Sequence, residues 1–501
     1  MMKLSNLQRL LAMLMLCALL SSSLTIPAAA AGFQDVPAGH WAETEIQRCA
    51  ELGFFKGKTA TQFGLGQSMT RSAFVVVLCR FFGWETPAPV VSSYDDVPSD
   101  AWYAGALEAA YTHGAVTSQQ DHFRPADAIT REELTVMLVR ALGYGALAGL
   151  PQERSCPFED VDTNAGYITM AYHLGLMNGT SATTFSPDRN ATREQVAVIL
   201  MRLHDKLSAP PAARSTILSK NNFQPDLTGL DAALIPAQSL DRTGKLQILI
   251  GSHDAAALRS HAQEAGIPAL LYVTGNSAAL RGDRSSMAQA LVNAVEQGGY
   301  DGLVLDIPSV PAAKTAALTE LVSATKTALD GRPLQLIVEA PSRQITVSGG
   351  YDYAALAAAA DSLILRVAPL ETTAGSTAIA AVEPLEEVYF ALSTLKGVVP
   401  AEKLGLLVTT TGLVRTRTGR NSGTITTEEI FSRLAAGKMD GYYSSRYACA
   451  YLHNTNSGET VWYLNEEAAA QRAQLLRLAG AGAVCLSDWG SASAELLQGL
   501  N

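Results

Sequence analysis

Two sets of residues in this chain carry chemistry in their types and spacing. The first is an arginine that recurs directly after a threonine: Arg71 in MTRSAF, Arg131 in ITREEL and Arg193 in ATREQV. Thr130 with Glu133, and Thr192 with Gln195, have the spacing of a helix capping box, whereas Thr70 with Ala73 keeps half of one. Helix capping does not require the arginine. A guanidinium beside the free N–H groups of a helix N-terminus is a ready anion site, and three in one position favour that role over a solvated side chain near a local acid. The second set is a pair of acids at the ends of apolar runs, Asp306 in GLVLDIPSV and Glu339 in LIVEAP. On neighbouring strands the two could stand at a glycosidase-like separation. The plainer reading has Glu339 facing a basic neighbour such as Arg366 and Asp306 bonding loop backbone.

The arginines are positioned by a repeat with a period of roughly sixty residues. Three segments align: FQDVPAGHWAETEI, YDDVPSDAWYAGAL and FEDVDTNAGYITMA. A helical stretch follows each, ending at Gly53, Gly114 or Gly175, and then come FGLGQSMTRSAF, FRPADAITREEL and FSPDRNATREQV. Asp35, Asp96 and Asp160 stand where helix N-caps are expected, and the glycines suit left-handed C-caps. Trp41 and Trp102 either offer faces to sugar rings or anchor the repeat cores. The expected organisation is an all-α module with repeats at residues 32–92, 93–150 and 151–207, then a Pro- and Ala-rich linker at 208–214.

The acids belong to a different kind of chain. From residue 215 to 501, short β runs alternate with Ala-rich helices. The runs are STILS, AALIPA, PALLYVT, GLVLDI, LQLIVEA, SLILRVA, KLGLLVTT and GAVCLS, with KLQILIG as a possible extra strand or hairpin. Near-continuous apolar strands between helices predict a parallel sheet covered on both faces, and about eight units predict a (β/α)8 (TIM) barrel. Period-two alternation points Val304 and Asp306 into that barrel, with Asp306 near its mouth.

The first half resembles S-layer homology repeats, in the pattern DVP…W…G…F.P…TRAE. The resemblance implies a pseudo-threefold helical module whose grooves bind a pyruvylated secondary cell-wall polysaccharide. It further implies that Arg71, Arg131 and Arg193 meet the polymer's acidic group, with Asp35, Asp96, Trp41 and Trp102 lining the grooves. The third repeat lacks the Trp, and the first reads TRSA for TRAE. The second half is similar to glycoside hydrolase family 18, of chitinase-like and spore-cortex type. GLVLDIPSV matches that family's DG.D.D.E strand, YDYAALAAAADSLILRVAPL the strand ending in MTYD, and TVWYLNEEAAAQRAQLLRLAGAGAVCLSDWG the closing segment. In that alignment the general-acid Glu falls on Pro308, the outer Asp on Val304, and the Tyr and Asp of MTYD on Ala368 and Pro369, so only Asp306 is kept. The family's final-strand Trp falls on Leu486, with Trp489 near enough to replace its stacking. Proline cannot protonate a leaving oxygen, and losing a general acid removes on the order of 10²–10⁴-fold in rate.

Composition narrows the field. A net charge of −10 without a Lys/Arg cluster sets nucleic acid aside. Lys3 and Arg9 precede the run LLAMLMLCALL and the small residues of PAAAA, so residues 1–31 are expected to be a secretory signal peptide, with no later span through a membrane. Cys49, Cys79, Cys156, Cys449 and Cys485 are scattered and odd in number, which argues for single thiols. No HExxH, GxSxG or phosphate loop occurs, and no metal or cofactor is expected. VRTRTGRNSG, at 414–423, is an Arg-rich loop that is either solvated or in reach of anionic glycan. The sequence therefore predicts a secreted cell-wall protein of several domains, tethered through the repeats and carrying a catalytically degenerate glycan-binding barrel. Two alternatives stand beside it. One is a divergent hydrolase of peptidoglycan or amino-sugar polymer using Asp306 and Glu339, and the other an S-layer protein whose barrel is a spacer or docking surface.

Overall fold

The computed structural model describes residues 33–117, 122–150, 156–210, 212–219, 225–343, 349–371, 379–417 and 421–500. The segment expected to be a signal peptide, residues 1–31, and part of the Arg-rich loop lie outside them. The chain divides into two compact units. One runs to Leu142 and takes in Thr184–Arg202; the other holds Gly143–Thr183 and everything from Leu203. The division falls inside the third repeat, not at the expected linker, and Ala213 and Arg214 already belong to the first barrel strand.

The first unit is helical, with helices Glu43–Glu51, Arg71–Phe82, Ala104–Thr112, Arg131–Ala141 and the start of Arg193–Leu207. The three Thr-Arg segments meet through a closed set of backbone hydrogen bonds. Met69 N–H donates to Ala191 O at 2.9 Å, Ala191 N–H to Ile129 O at 2.9 Å, and Ile129 N–H to Met69 O at 2.8 Å. Met69, Ile129 and Ala191 are buried, so each bond lies in the apolar centre of the ring. Gly53 and Gly114, at φ +75° and +71°, close the first helices of repeats one and two in the left-handed conformation glycine alone adopts cheaply.

Asp35 and Asp96 do not cap helices, as the sequence predicted. The helices that follow begin eight residues later, at Glu43 and Ala104, behind the N-caps Ala42 and Tyr103. Each carboxylate instead reaches across its own repeat. Asp35 accepts from the N–H groups of Phe63, Gly64 and Leu65 at 2.7–3.0 Å. Asp96 accepts from Phe123 and Arg124 at 2.7 and 2.6 Å. The helix behind Asp160 likewise takes Asn164 as its N-cap.

The second unit contains the barrel. Its strands are β1 (Ala213–Ile217), β2 (Ala232–Leu240), β3 (Ala269–Gly275), β4 (Gly302–Asp306), β5 (Leu334–Glu339), β6 (Ser362–Arg366), β7 (Leu404–Val408) and β8 (Ala483–Leu486). All eight are parallel, and β1 closes the barrel by pairing with both β2 and β8. Ala232, Leu234, Leu270, Tyr272, Val304, Ile337, Ile364, Leu407 and Cys485 fill its interior. Leu246–Ile248 is the extra strand, antiparallel to β2. An unexpected element follows β7: a five-stranded antiparallel sheet built from Gly412–Arg415, Asn421–Ile425, Asp440–Ser444, Cys449–His453 and Thr460–Tyr463. One face packs Val414, Leu452 and Val461 against Ile430 of helix Thr427–Ala435.

The same unit holds helix Ala165–His173 of the third repeat against the barrel helices. Lys396 Nζ donates to the carbonyls of Tyr172 and His173 at 3.0 and 2.6 Å, at the C-terminal end of that helix. Lys206 Nζ caps Leu478 O at 2.7 Å, and Tyr144 Oη reaches Gln471 O at 3.2 Å. Cations at helix C-termini are favourable, so these contacts should stabilise the barrel. A chain starting at Ser208 lacks them, and its melting temperature is expected to fall several degrees below that of a chain starting at Gly143. About 1 kcal/mol moves Tm by roughly 2–4 °C at comparable size. Calorimetry giving equal Tm values would show that they contribute nothing.

Candidate functional site

The recurrence of the arginines has an architectural cause. Arg71 Nε donates to Phe123 O at 2.7 Å, Arg131 Nε to Phe185 O at 2.9 Å, and Arg193 Nε to Phe63 O at 2.8 Å. Each arginine thus holds the next repeat, and the third holds the first. Each guanidinium also lies over the ring of that phenylalanine, 4.6–4.9 Å from its centre. All three arginines are 8% exposed. The anion site expected at the helix N-termini is already filled with protein. Arg71 N–H and Ser72 N–H donate to Asp127 O and Pro125 O, Arg131 and Glu132 to Arg189 O and Pro187 O. The third amides bond Thr70 and Thr130. The free N–H groups on which that expectation rested are therefore absent at these two helices. The capping box is complete at Thr130–Glu133. At Thr192 the Gln195 side chain accepts from the cap N–H, but Thr192 Oγ1 has no partner.

For Trp41 and Trp102 the core-anchoring alternative is set aside. They are 60% and 70% exposed, so they do not anchor the cores. Each stands just ahead of the first helix of its repeat with ring surface facing solvent.

At the barrel mouth, alternation carries three side chains to one level. Val304, Ile337 and Ile364 lie in the interior, so Asp306, Glu339 and Arg366, two residues on, point the same way. Arg366 Nη2 meets Asp306 Oδ2 at 2.5 Å, and Arg366 Nη1 meets Glu339 Oε1 at 3.4 Å. Tyr272, one layer below on β3, donates its hydroxyl to the same Asp306 oxygen at 2.6 Å. Asp306 therefore bonds side chains rather than loop backbone, and Glu339 has the basic neighbour the sequence suggested. Burial disfavours the Arg366 cation, but Asp306 and Glu339 outweigh it and hold its pKa above the usual arginine value. Burial, with the Asp306 charge, pushes the Tyr272 phenol well above its ordinary range and keeps it a donor. Asp306 is 2% exposed, and its Oδ1 is buried with no hydrogen-bond partner. Pro308 leads into Ser309, which takes φ +54°, so the chain turns off the strand where the family's acid would stand.

A glycosidase pair must flank the scissile bond with room for substrate or water between the carboxyls. Here a guanidinium occupies that space. Glu383, which sequence reasoning did not single out, has its backbone at φ +44°. Its Oε1 accepts the Thr409 N–H at 2.6 Å, just beyond β7, and burial raises its carboxyl pKa. At 1% exposure it is sealed from substrate. Trp489 lies half-buried in the short turn after β8, where Asp488 accepts from Gly490 N–H and Ser491 Oγ at 3.3 and 2.6 Å. Among the described residues no group of His, Cys, Asp or Glu could hold a metal ion.

Two predictions follow from this geometry. Arg366→Ala leaves a buried acid without its cation, a loss of roughly 3–5 kcal/mol. Removing Asp306 as well should recover part of it, and a urea double-mutant cycle with no coupling would refute the pairing. In the repeats, burial tends to raise the Asp35 pKa, but its three N–H donors outweigh that and hold it below the ordinary value. Glu133 is likewise depressed, by Thr130 N–H and Arg71 against burial. Folded values below unfolded ones mean stabilisation present at neutral pH and lost as pH falls below about 4. Asp35→Asn should flatten that acid limb in a plot of Tm against pH.

Comparison with known proteins agrees with both halves. The S-layer homology domain model matches residues 32–75, 93–135 and 157–197. An amylopullulanase of Thermoanaerobacterium thermosulfurigenes is 32% identical over 180 residues, which is 35% of this chain and 10% of that one. An S-layer protein of Bacillus licheniformis is 27% identical over 233 residues, 45% of this chain and 26% of that one. The chain thus spans less than a third of the length of these relatives. A chitinase structure from Chromobacterium violaceum superposes with a TM-score of 0.51 at 18% identity, over 58% of this chain and 99% of that one, a likeness of fold. The chain is a secreted cell-surface protein with three S-layer homology domains and a (β/α)8 barrel of the fold seen in chitinases.

Proposed function

We propose that the repeats tether this protein to a pyruvylated secondary wall polysaccharide and that the barrel binds wall glycan without hydrolysing it. The observation that carries the second part is the Asp306–Arg366–Glu339 bridge. A general acid must reach the leaving oxygen, and here the Arg366 guanidinium stands between the two carboxylates and bonds both. Pro308 removes the residue that would. In the repeats, Trp41 and Trp102 present apolar ring faces of the kind that stack on pyranose rings. Arg71, Arg131 and Arg193, each bonded to a neighbouring repeat, and Asp35 and Asp96, bonded to loop amides, hold the shape of the surface that carries these rings rather than meeting the polymer's acidic groups themselves. Several weak grooves on one module add by avidity if one polymer engages more than one. In the barrel, Trp489, half-buried in the turn after β8, is the stacking candidate, whereas Asp306 is closed off by its bonds to Tyr272 and Arg366.

Sedimentation with purified wall sacculi tests the tether. The Trp41→Ala/Trp102→Ala double variant is expected to lose about tenfold or more in retention, since each stacked ring contributes on the order of 1 kcal/mol. Chemical removal of pyruvyl groups should do the same to the unaltered chain. A zymogram on wall glycan tests the barrel, with no clearing expected. Clearing that disappears in Asp306→Ala would replace the binding reading with a hydrolytic one.

A further inference from the structure

The barrel unit has a second cavity-forming region, at the end opposite the mouth. Residues 397–401 and Ala481, which lead into β7 and β8, form one side of a cavity of about 680 Å3. Small-molecule sites commonly span roughly 300–1,000 Å3. Its apolar wall includes Leu392, Val399, Leu404, Leu475 and Leu478. Lys206 and Lys396 also line it, and none of the described lining residues is an Asp or Glu. That is a local excess of two positive charges in a chain of net charge −10.

Both ammonium groups are fixed in place. Lys396 is held by the carbonyls of Tyr172 and His173, and Lys206 by that of Leu478, so neither can swing freely into solvent. Burial above all, and then the nearby Lys206 charge, lower the Lys396 pKa, so some repulsion between the two cations is present. An anion placed beside them relieves that repulsion, whereas a neutral apolar guest would desolvate them further. The rim adds polar groups at His173 and Tyr389, whose Nδ1 and Oη lie 3.0 Å apart.

We propose that this cavity binds a single-chain amphipathic anion, its carboxylate or phosphate head beside Lys206 and Lys396 and its aliphatic tail against the leucines. The site is separate from the barrel mouth and from the repeat surfaces. Its charge selects against cations, and its wall selects against small hydrophilic anions.

Calorimetric titration of the full chain with sodium octanoate tests this, with octyl phosphate, 1-octanol and octylammonium as comparison ligands. Octanoate or octyl phosphate should bind saturably below about 10 mM, whichever binds tighter identifying the head, and 1-octanol should bind at least about tenfold more weakly. Octylammonium should not bind. Lys396→Gln should weaken the anion about tenfold, but it also removes a helix cap. Val398→Glu is therefore the second variant: Val398 lines the cavity, is 47% exposed, and takes part in neither cap. It should weaken anion binding several-fold while Val398→Gln leaves it unchanged. Equal affinity for octanol and octanoate, no saturation by either anion, or indifference to Val398→Glu would each overturn the proposal.

Discussion

The hydrogen bonds that close the three repeats on one another are the constraint from which the N-terminal unit follows. Met69, Ile129 and Ala191 exchange backbone bonds around a ring, and no single repeat can make that set. Around it, each signature residue of the repeat has one place in a circuit. The aspartate fixes the amide of a phenylalanine, and the carbonyl of that phenylalanine receives an arginine from another repeat. Buried polar groups are costly unless paired, and here each pairing is also a joint between repeats. This explains why arginine, with its fork of donors and planar face, occupies a position where helix formation alone would accept many residues.

With the acids and arginines of the motif committed to this circuit, the exposed aromatic rings are left as the accessible surface features. Trp41 and Trp102 contribute little to the core, so their size and exposure call for another explanation, and contact with a polymer provides one.

The barrel mouth follows a related logic. The barrel has an inward aspartate at the tip of β4, and an inward-facing carboxylate needs a partner. Arg366, from two strands away, supplies it and reaches Glu339 as well. Removing one partner of such a bridge is expensive. Glu383, a buried acid whose pKa is raised by burial, is spent on holding the backbone beyond β7.

The sequence by itself determined the local order of this protein. Helical and period-two hydrophobic patterns are short-range properties, so the repeats, the eight barrel strands and the inward direction of Val304 and Asp306 were legible in it. It also showed a proline at position 308, a residue type that needs no coordinates to be read. What it left open were partners far apart in the chain. The carboxylates of Asp35 and Asp96 looked like helix caps because the amides they bind lie about thirty residues on. The arginines looked available because the loops that occupy their helix ends come from other repeats. The antiparallel sheet after β7 went unrecognised, since its strands are four or five residues long and interrupted by turns. Only the tertiary structure could decide which charges are spent inside the protein and which face outward, because hydrogen bonds and ion pairs depend on distances that chain position does not encode.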